Sequence, residues 1–433
     1  MQYSRISCII MPLRFGRRCA IFATWKAALK KCLPPRTLNW LAENRNRRVL
    51  PFLKDPGLAP FSPESRPWGV NLIGFITGEN GLGESCRILA ACLRTADIPL
   101  AIEPCKHPGL PNRETGWEEY IHPDGPYGVN LIHVNPPQLP LYFSPDSKPL
   151  LDGRYNIGFW LWETEVFPDR WKNRFGMFHE IWTPSEFISR SVRQKTALPV
   201  TTIPYAISAP TDDRFDRRYF GLPTGVFLFL VTGDGLSALD RKNPLGAVEA
   251  FCRAFSPEDE SVGLILKLAN IDRLLRAQIA AKLTGYPHIF WMEKPLAKIE
   301  VNSLIGCCDA FVSLHHAEGF GLVIAESMSL GVPVIATNWS ANTEFTDDSC
   351  ACPVDYCLVT LKRDIGPYRK GSRWAEPDVG QATAYMKRLR DDPVYYAEIA
   401  ENGRQSIART NSPEIVAAHI RKRLDEIYDA YRV

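Results

Sequence analysis

Two glutamates eight positions apart, Glu318 and Glu326, bracket Gly319-Phe320-Gly321 in a stretch that runs from His315 to Glu326. The glycines stand where an apolar run ends and a new helix should begin. The first amides of a helix have no internal partners and point outward, and the helix dipole favours negative charge there. Glycine lets a phosphate or a sugar approach the backbone closely. A carboxylate beside such an anion site is costly unless it accepts hydrogen bonds, and the hydroxyls of a ribose or a sugar are the obvious donors. For Glu326 alone a solvated helical carboxylate would suffice; the pair with Gly-Phe-Gly between them favours a ligand.

Cations that could meet a diphosphate lie elsewhere in the chain. Arg241-Lys242-Asn243-Pro244 follows Gly233-Asp234 between an expected strand and an expected helix. Adjacent cations at such a loop suit a diphosphate. Lys267 ends the apolar run Gly263-Leu264-Ile265-Leu266 and is a second source of charge. Near the front of the chain, Val70 to Ile76 reads as a strand. Gly78-Glu79-Asn80-Gly81-Leu82-Gly83 reads as a loop, and a helix runs on through Leu93. Strand, glycine loop and helix form a phosphate cradle, with Gly81 and Gly83 at the helix start. Its third glycine is misplaced for a nicotinamide cofactor. His133 lies near the C-terminal edge of Val129–Asn135, where ligands bind in open α/β sheets.

The elements that must hold these residues follow from the punctuation. Ala310 to Leu314 is a short buried strand, Leu322 to Leu330 a helix, and Val334 to Thr337 the next strand; Gly331 and Pro333 end the helix between them. This unit resembles the Glu-x7-Glu signature of the retaining family 4 glycosyltransferases of the bacterial group 1 type, which have the GT-B fold. Ser313, Ala325, Gly331, Pro333 and Val334 fit the same pattern. The resemblance implies that Glu326 holds the ribose diol of a nucleotide sugar. Glu318 and the amides of Gly319, Phe320, Gly321 and Leu322 would face the transferred sugar and the diphosphate. Lys242 would stabilise the leaving phosphate. His133 would contact the donor sugar or phosphate, and the Gly81–Gly83 loop would reach toward the donor from the first domain or shape the acceptor site. One departure stands out: the family's usual Arg, six residues before the Lys, is Leu236 here. Arg241 or Lys267 would replace it.

Composition sets the outer limits. The chain has 433 residues, enough for two ordinary domains, and is 45% hydrophobic and 23% charged. Its net charge of +3 hides an asymmetry. Residues 1–54 hold twelve Lys/Arg against one acid, Glu43, while the rest holds 39 against 47. Ile21, Phe22, Trp25, Leu29, Cys32 and Leu33 recur at helical spacing with Lys26, Lys30 and Lys31 off that face. Such a basic amphipathic stretch either docks on the body or lies on an anionic membrane surface. The twelve cysteines lack zinc spacing and read as reduced buried thiols. No run reaches the length of a membrane span, Lys26 breaks the best candidate for a signal peptide, and no nucleic-acid reader motif occurs. There is no Asp-x-Asp metal motif, so no metal and no other cofactor is expected.

The expected fold is α/β, with two facing doubly wound, Rossmann-like domains and a central cleft. The expected divisions are a basic extension and linker (1–66), an acceptor domain (67–210), a donor domain (211–410) and a terminal helix crossing back (411–433). Trp160 and Trp162 are expected in the core. The expected activity is metal-independent, retaining transfer from a UDP- or GDP-linked sugar to a glycan or lipid-linked glycan. The expected location is the cytoplasm, peripheral on the inner membrane face through residues 1–54. A GT-B epimerase and a catalytically impaired nucleotide-binding partner are the alternatives.

Overall fold

A computed structural model describes residues 47–106 and 112–432. The amphipathic stretch from Ile21 to Leu33 lies outside the described residues. Two parallel six-stranded sheets form the frame. In the first, β1 (Val70–Gly74), β2 (Leu100–Pro104), β3 (Val129–His133), β4 (Tyr155–Phe159), β5 (Glu180–Thr183) and β6 (Val200–Thr202) lie in the order β2-β1-β3-β4-β5-β6. In the second, β7 (Phe227–Asp234), β8 (Val262–Ala269), β9 (Ile289–Trp291), β10 (Ala310–Ser313), β11 (Val334–Thr337) and β12 (Cys352–Val354) lie in the order β12-β11-β10-β7-β8-β9. Helices cover both faces, so the strands read as continuous apolar runs rather than alternating ones. Val70, Leu72, Ile73, Val129, Leu131 and Ile132 are all buried, as are Leu228, Phe229, Leu230 and Val231. This is the expected pair of Rossmann-like domains.

Several expected strands end early. Val70–Ile76 stops at Gly74, Val129–Asn135 at His133 and Ala310–Leu314 at Ser313. Trp160 and Trp162 are core residues, as expected: Trp160 stacks on Phe167 and meets Phe178 edge-on.

The 51–67 stretch does not behave as free linker. Residues 47–54 are helical, and Val49, Phe52 and Leu53 join the first-domain core with Trp171 and Phe175. The packing is close enough that a Cβ on Gly176 would lie 1.8 Å from the Lys54 carbonyl oxygen. Phe61 packs edge-on against Tyr155 and Tyr428.

At the other end the helix Pro413–Tyr431 returns to the first domain. Arg423 pairs with the fully buried Glu180 at 2.8 Å, and Arg421 stacks over Trp68. Its buried face carries Val416, Ala417, Ile420, Leu424, Ile427 and Tyr428. The sequence shows an apolar stripe of Ile415, Ala418, Ile420, Leu424 and Ile427 on this helix, but Ala418 is exposed. The partner helix, Gly81–Thr95, draws the buried face to Val416 and Ala417.

An element absent from the sequence reading is an antiparallel hairpin, β13 (Tyr356–Thr360) and β14 (Arg373–Pro377). It leaves the second domain and its tip lands on the first. Arg373 pairs with Glu165 at 3.1 Å, Arg170 donates to the Pro367 carbonyl, and Tyr368 donates to Glu163. A further tie between the domains is Glu344, whose two carboxylate oxygens accept from the amides of Glu186 and Phe187 at the start of the Glu186–Arg193 helix. Among the described residues, no helix is long and apolar enough to cross a membrane.

Candidate active site

The site lies where the C-terminal ends of the second sheet face the first domain. β10 delivers the loop from Leu314 to Gly321, and the helix Leu322–Ser329 follows. Gly321 has φ +92°, a backbone conformation that β-carbon-bearing residues rarely adopt, and it turns the chain into that helix. No side chain caps the first turn, so its leading amides stay available for an anion.

β7 leads into a second loop, in which a short helical turn, Leu239–Lys242, holds both cations. The two loops are laced together. His316 N donates to the Arg241 carbonyl at 2.8 Å, and Asn243 Nδ2 donates to the Leu314 carbonyl at 2.9 Å. The result brings Arg241, Lys242 and Glu318 into one cluster. Glu318 Oε1 lies 3.0 Å from Arg241 Nη1 and 2.5 Å from Lys242 Nζ. Glu318 is 6% exposed. Burial alone would raise its pKa, but Arg241 and Lys242 outweigh that and hold it at about 2. For Arg241, burial opposes the charge and Glu318 overrides it, so its pKa moves up.

These contacts separate the two candidates for the missing family cation. Arg241 is committed to Glu318 and also donates to the Ala317 carbonyl at 2.6 Å. Lys267, near the end of β8, is 8% exposed and makes no ion pair with the described residues. Burial lowers its pKa, while Asp234 favours its charge. Leu236, in the family's Arg position, points its side chain outward and is 64% exposed.

Glu326 is 2% exposed, inside the helix after the glycine turn. Its Oε1 accepts from Lys298 Nζ at 2.5 Å, and its Oε2 is buried with no hydrogen-bond partner. Burial raises its pKa; Lys298 works against that and Glu84 adds to it. Glu84 belongs to the first turn of Gly81–Thr95, so a first-domain charge acts on the second-domain Glu326. Gly83 is required there: a Cβ would lie 1.9 Å from the Gly78 carbonyl oxygen. Gly81 is open, with nothing within 4 Å of a Cβ.

His133 is placed differently from the rest. It is 0% exposed, stacked on Phe159, with Nε2 2.5 Å from Ser85 Oγ and Nδ1 unpartnered. Ser85 in turn bonds Tyr205. Burial lowers the His133 pKa to about 4, so the ring is neutral near pH 7. It lies beneath the glycine-loop helix, and Ser85 and Tyr205 link it to Phe320 of the Gly-Phe-Gly turn.

Sequence reasoning missed Lys298, Glu163 and Tyr368. Lys298 lies 28 positions from its partner Glu326, and Tyr368 lies 205 from Glu163. No local pattern signals pairs so distant. Among the described residues, no group of three or more His, Cys, Asp or Glu is placed to hold a metal ion. Cys86, Cys92, Cys308, Cys350 and Cys352 are buried free thiols.

Residues 247–363, which include Glu318, Glu326 and Lys267, match a family model described as "Glycosyl transferases group 1". Most of the chain is similar in fold to solved structures at low identity. Anabaena HepE in complex with UDP and glucose has a TM-score of 0.60 at 13% identity, covering 83% of this chain and 100% of that one. The sucrose-phosphate synthase of Thermosynechococcus elongatus has a TM-score of 0.56 at 14% identity, covering 84% and 100%. A glycosyltransferase from Rickettsia africae has a TM-score of 0.54 at 13% identity, covering 83% and 98%. The chain therefore has the two-domain GT-B fold, and its residues 247–363 match a model of the group 1 glycosyl transferases.

Proposed function

We propose that the protein is a retaining glycosyltransferase that moves a hexosyl group from a UDP- or GDP-linked donor to a glycan or lipid-linked glycan acceptor. What carries this reading is Glu326: a buried carboxylate with one oxygen on Lys298 and the other unpartnered. A buried acceptor without a donor is costly, and a ribose hydroxyl supplies one. The neighbours Anabaena HepE, bound to UDP and glucose, and sucrose-phosphate synthase support a nucleotide-sugar donor by fold alone.

In this reading the diphosphate lies against the amides at the start of Leu322–Ser329, with Lys242 and Lys267 as its cations. As the bond to the sugar breaks, charge develops on the β-phosphate. Fixed donors and ammonium groups aimed at that charge stabilise it without reorganising. Glu318, ionised and immobile, orients the sugar. The acceptor's proton passes to the departing phosphate on the same face, so no enzyme nucleophile is required. His133 acts from below, through Ser85, by holding the glycine loop. Residues 1–54 bring the enzyme to the cytoplasmic face of an anionic membrane where lipid-linked acceptors are presented.

Calorimetry with UDP and GDP, followed by NMR of the product anomer, tests the proposal. The expected result is binding of one nucleotide and a product with the donor's anomeric configuration. Failure to bind either nucleotide overturns it, and an inverted anomer overturns retention.

A further inference from the structure

A second carboxylate stands over the Glu318 loop, and it comes from the opposite domain. Glu163 follows β4, beyond the C-terminal end of the strand, the edge at which parallel sheets present ligands. Its segment is rigidly held: Trp162 Nε1 donates to the Val166 carbonyl, Leu161 N donates to Asn135 Oδ1, and the Trp162 ring packs on Trp171. The Glu163 side chain reaches the sugar-facing loop. A Cβ built on Gly319 would lie 3.6 Å from Glu163 Cγ. Tyr368, on the hairpin tip of the second domain, donates its hydroxyl to Glu163 Oε2 at 2.9 Å and packs at a tilt against Trp162.

Glu163 lies close enough for its charge to act on Arg241, but the two form no ion pair. Arg241 is already paired with Glu318, and Glu163 forms no ion pair with the described residues. Its Oε1 accepts no hydrogen bond from them, and the residue is half-buried rather than solvated. A carboxylate fixed through one oxygen offers the other as an acceptor only. A diphosphate is excluded there by like charge, so the ligand must bring a hydroxyl. We infer that Glu163, positioned by Tyr368, binds a sugar hydroxyl at the point of transfer. The inference rests on the transferase reading above. The hydroxyl belongs to the transferred sugar or to the acceptor, and the two sources give different kinetics.

The test uses the full chain with Glu163→Gln and Tyr368→Phe. UDP, GDP, UDP-glucose and GDP-mannose are the donor-side probes, and a panel of octyl glycosides provides acceptors. Glu163→Gln is nearly isosteric and keeps an oxygen for Tyr368, and melting temperatures check that it folds. Free nucleoside diphosphate should bind Glu163→Gln within twofold of wild type. If the hydroxyl is the donor's, binding and hydrolysis of the nucleotide sugar fall at least tenfold. If it is the acceptor's, both stay unchanged, while transfer to the octyl glycoside falls at least tenfold with a raised acceptor KM. Tyr368→Phe should shift the same parameter in the same direction, by a smaller factor. Unchanged donor and acceptor kinetics in Glu163→Gln overturn the inference, as does an equal loss of free nucleotide binding, which would mark a purely structural role. A wild-type chain that binds no nucleoside diphosphate overturns the transferase reading, and this inference with it.

Discussion

Arg241 and Glu318 form an ion pair closed to solvent on both sides, with Nη1 3.0 Å from Oε1. Each charge is tolerable in the interior only because of the other. Glu318→Ala should therefore strand a buried guanidinium and cost about 3–5 kcal/mol of stability, besides abolishing turnover. Glu318→Gln keeps a hydrogen-bond acceptor and should fold better than the alanine variant, with turnover still down by about 100-fold. Urea denaturation and steady-state rates check both. Full activity in either variant removes Glu318 from the site.

The same pair sets an acid response. Glu318 is held at about 2 in the folded chain, below its ordinary value of 4.5. A depressed carboxylate contributes stability that is complete above its unfolded pKa and is lost as pH falls through the folded one. The window therefore runs from about pH 4.5 down to about pH 2. Wild type should lose melting temperature more steeply across it than Glu318→Gln. Parallel curves would show that Glu318 is not ionised in that window.

Glu326 shows the opposite trade. Burial disfavours its charge, and Oε2 lacks a donor. Glu326→Gln should leave the melting temperature unchanged or higher, since Lys298 is partly exposed and can turn to water. It should weaken free nucleoside diphosphate by roughly 10- to 100-fold, the equivalent of a hydrogen bond to a charged group. Calorimetry beside a thermal melt reads both. A large loss of stability with unchanged affinity would make Glu326 structural.

In the proposed function Lys242, Lys267 and the helix amides face the diphosphate, which leaves a divalent ion no required task. Activity should survive excess chelator after the protein is stripped and desalted. Loss that magnesium or manganese restores would contradict this.

The strand–loop–helix–strand unit around Glu318 was legible because Gly321, Gly331 and Pro333 mark where its helix starts and ends and where its second strand starts. Val334–Thr337 is found as expected, and the helix ends one residue before Leu330. Fold class was legible for a related reason, since buried parallel strands leave unbroken apolar runs. The hairpin was not legible. Tyr356, Cys357, Leu358 and Thr360 are exposed, so β13 has no buried face to impose alternation. Nor was the division of labour between Arg241 and Lys267, because sequence spacing says nothing about which cation Glu318 has claimed.

The basic arm gives a prediction that the packing of residues 47–54 sharpens. Full-length protein should sediment with anionic but not neutral vesicles, and less at high salt, since exposed charge is screened. A chain beginning near residue 47 should stay folded and lose that binding. A chain beginning near Pro67 also loses the buried side chains of Phe52 and Leu53, each contributing roughly 1.5–3 kcal/mol, and should melt lower. Equal vesicle binding by the shorter chains would rule out the arm as the anchor.

Glu344 has a bearing on the timing of a catalytic cycle. Its carboxylate satisfies two amides at the start of a helix in the other domain. Separating the domains thus strips those two amides of their acceptor, while Ser185 still caps Ile188, at a cost of roughly 0.5–2 kcal/mol before water takes over. That is small enough for hinge motion on the microsecond-to-millisecond scale, yet large enough to bias the resting enzyme toward closure. Entry of donor and escape of nucleotide would both draw on this reserve, so weakening the Glu344 cap should speed product release without touching a single atom of the reacting sugar.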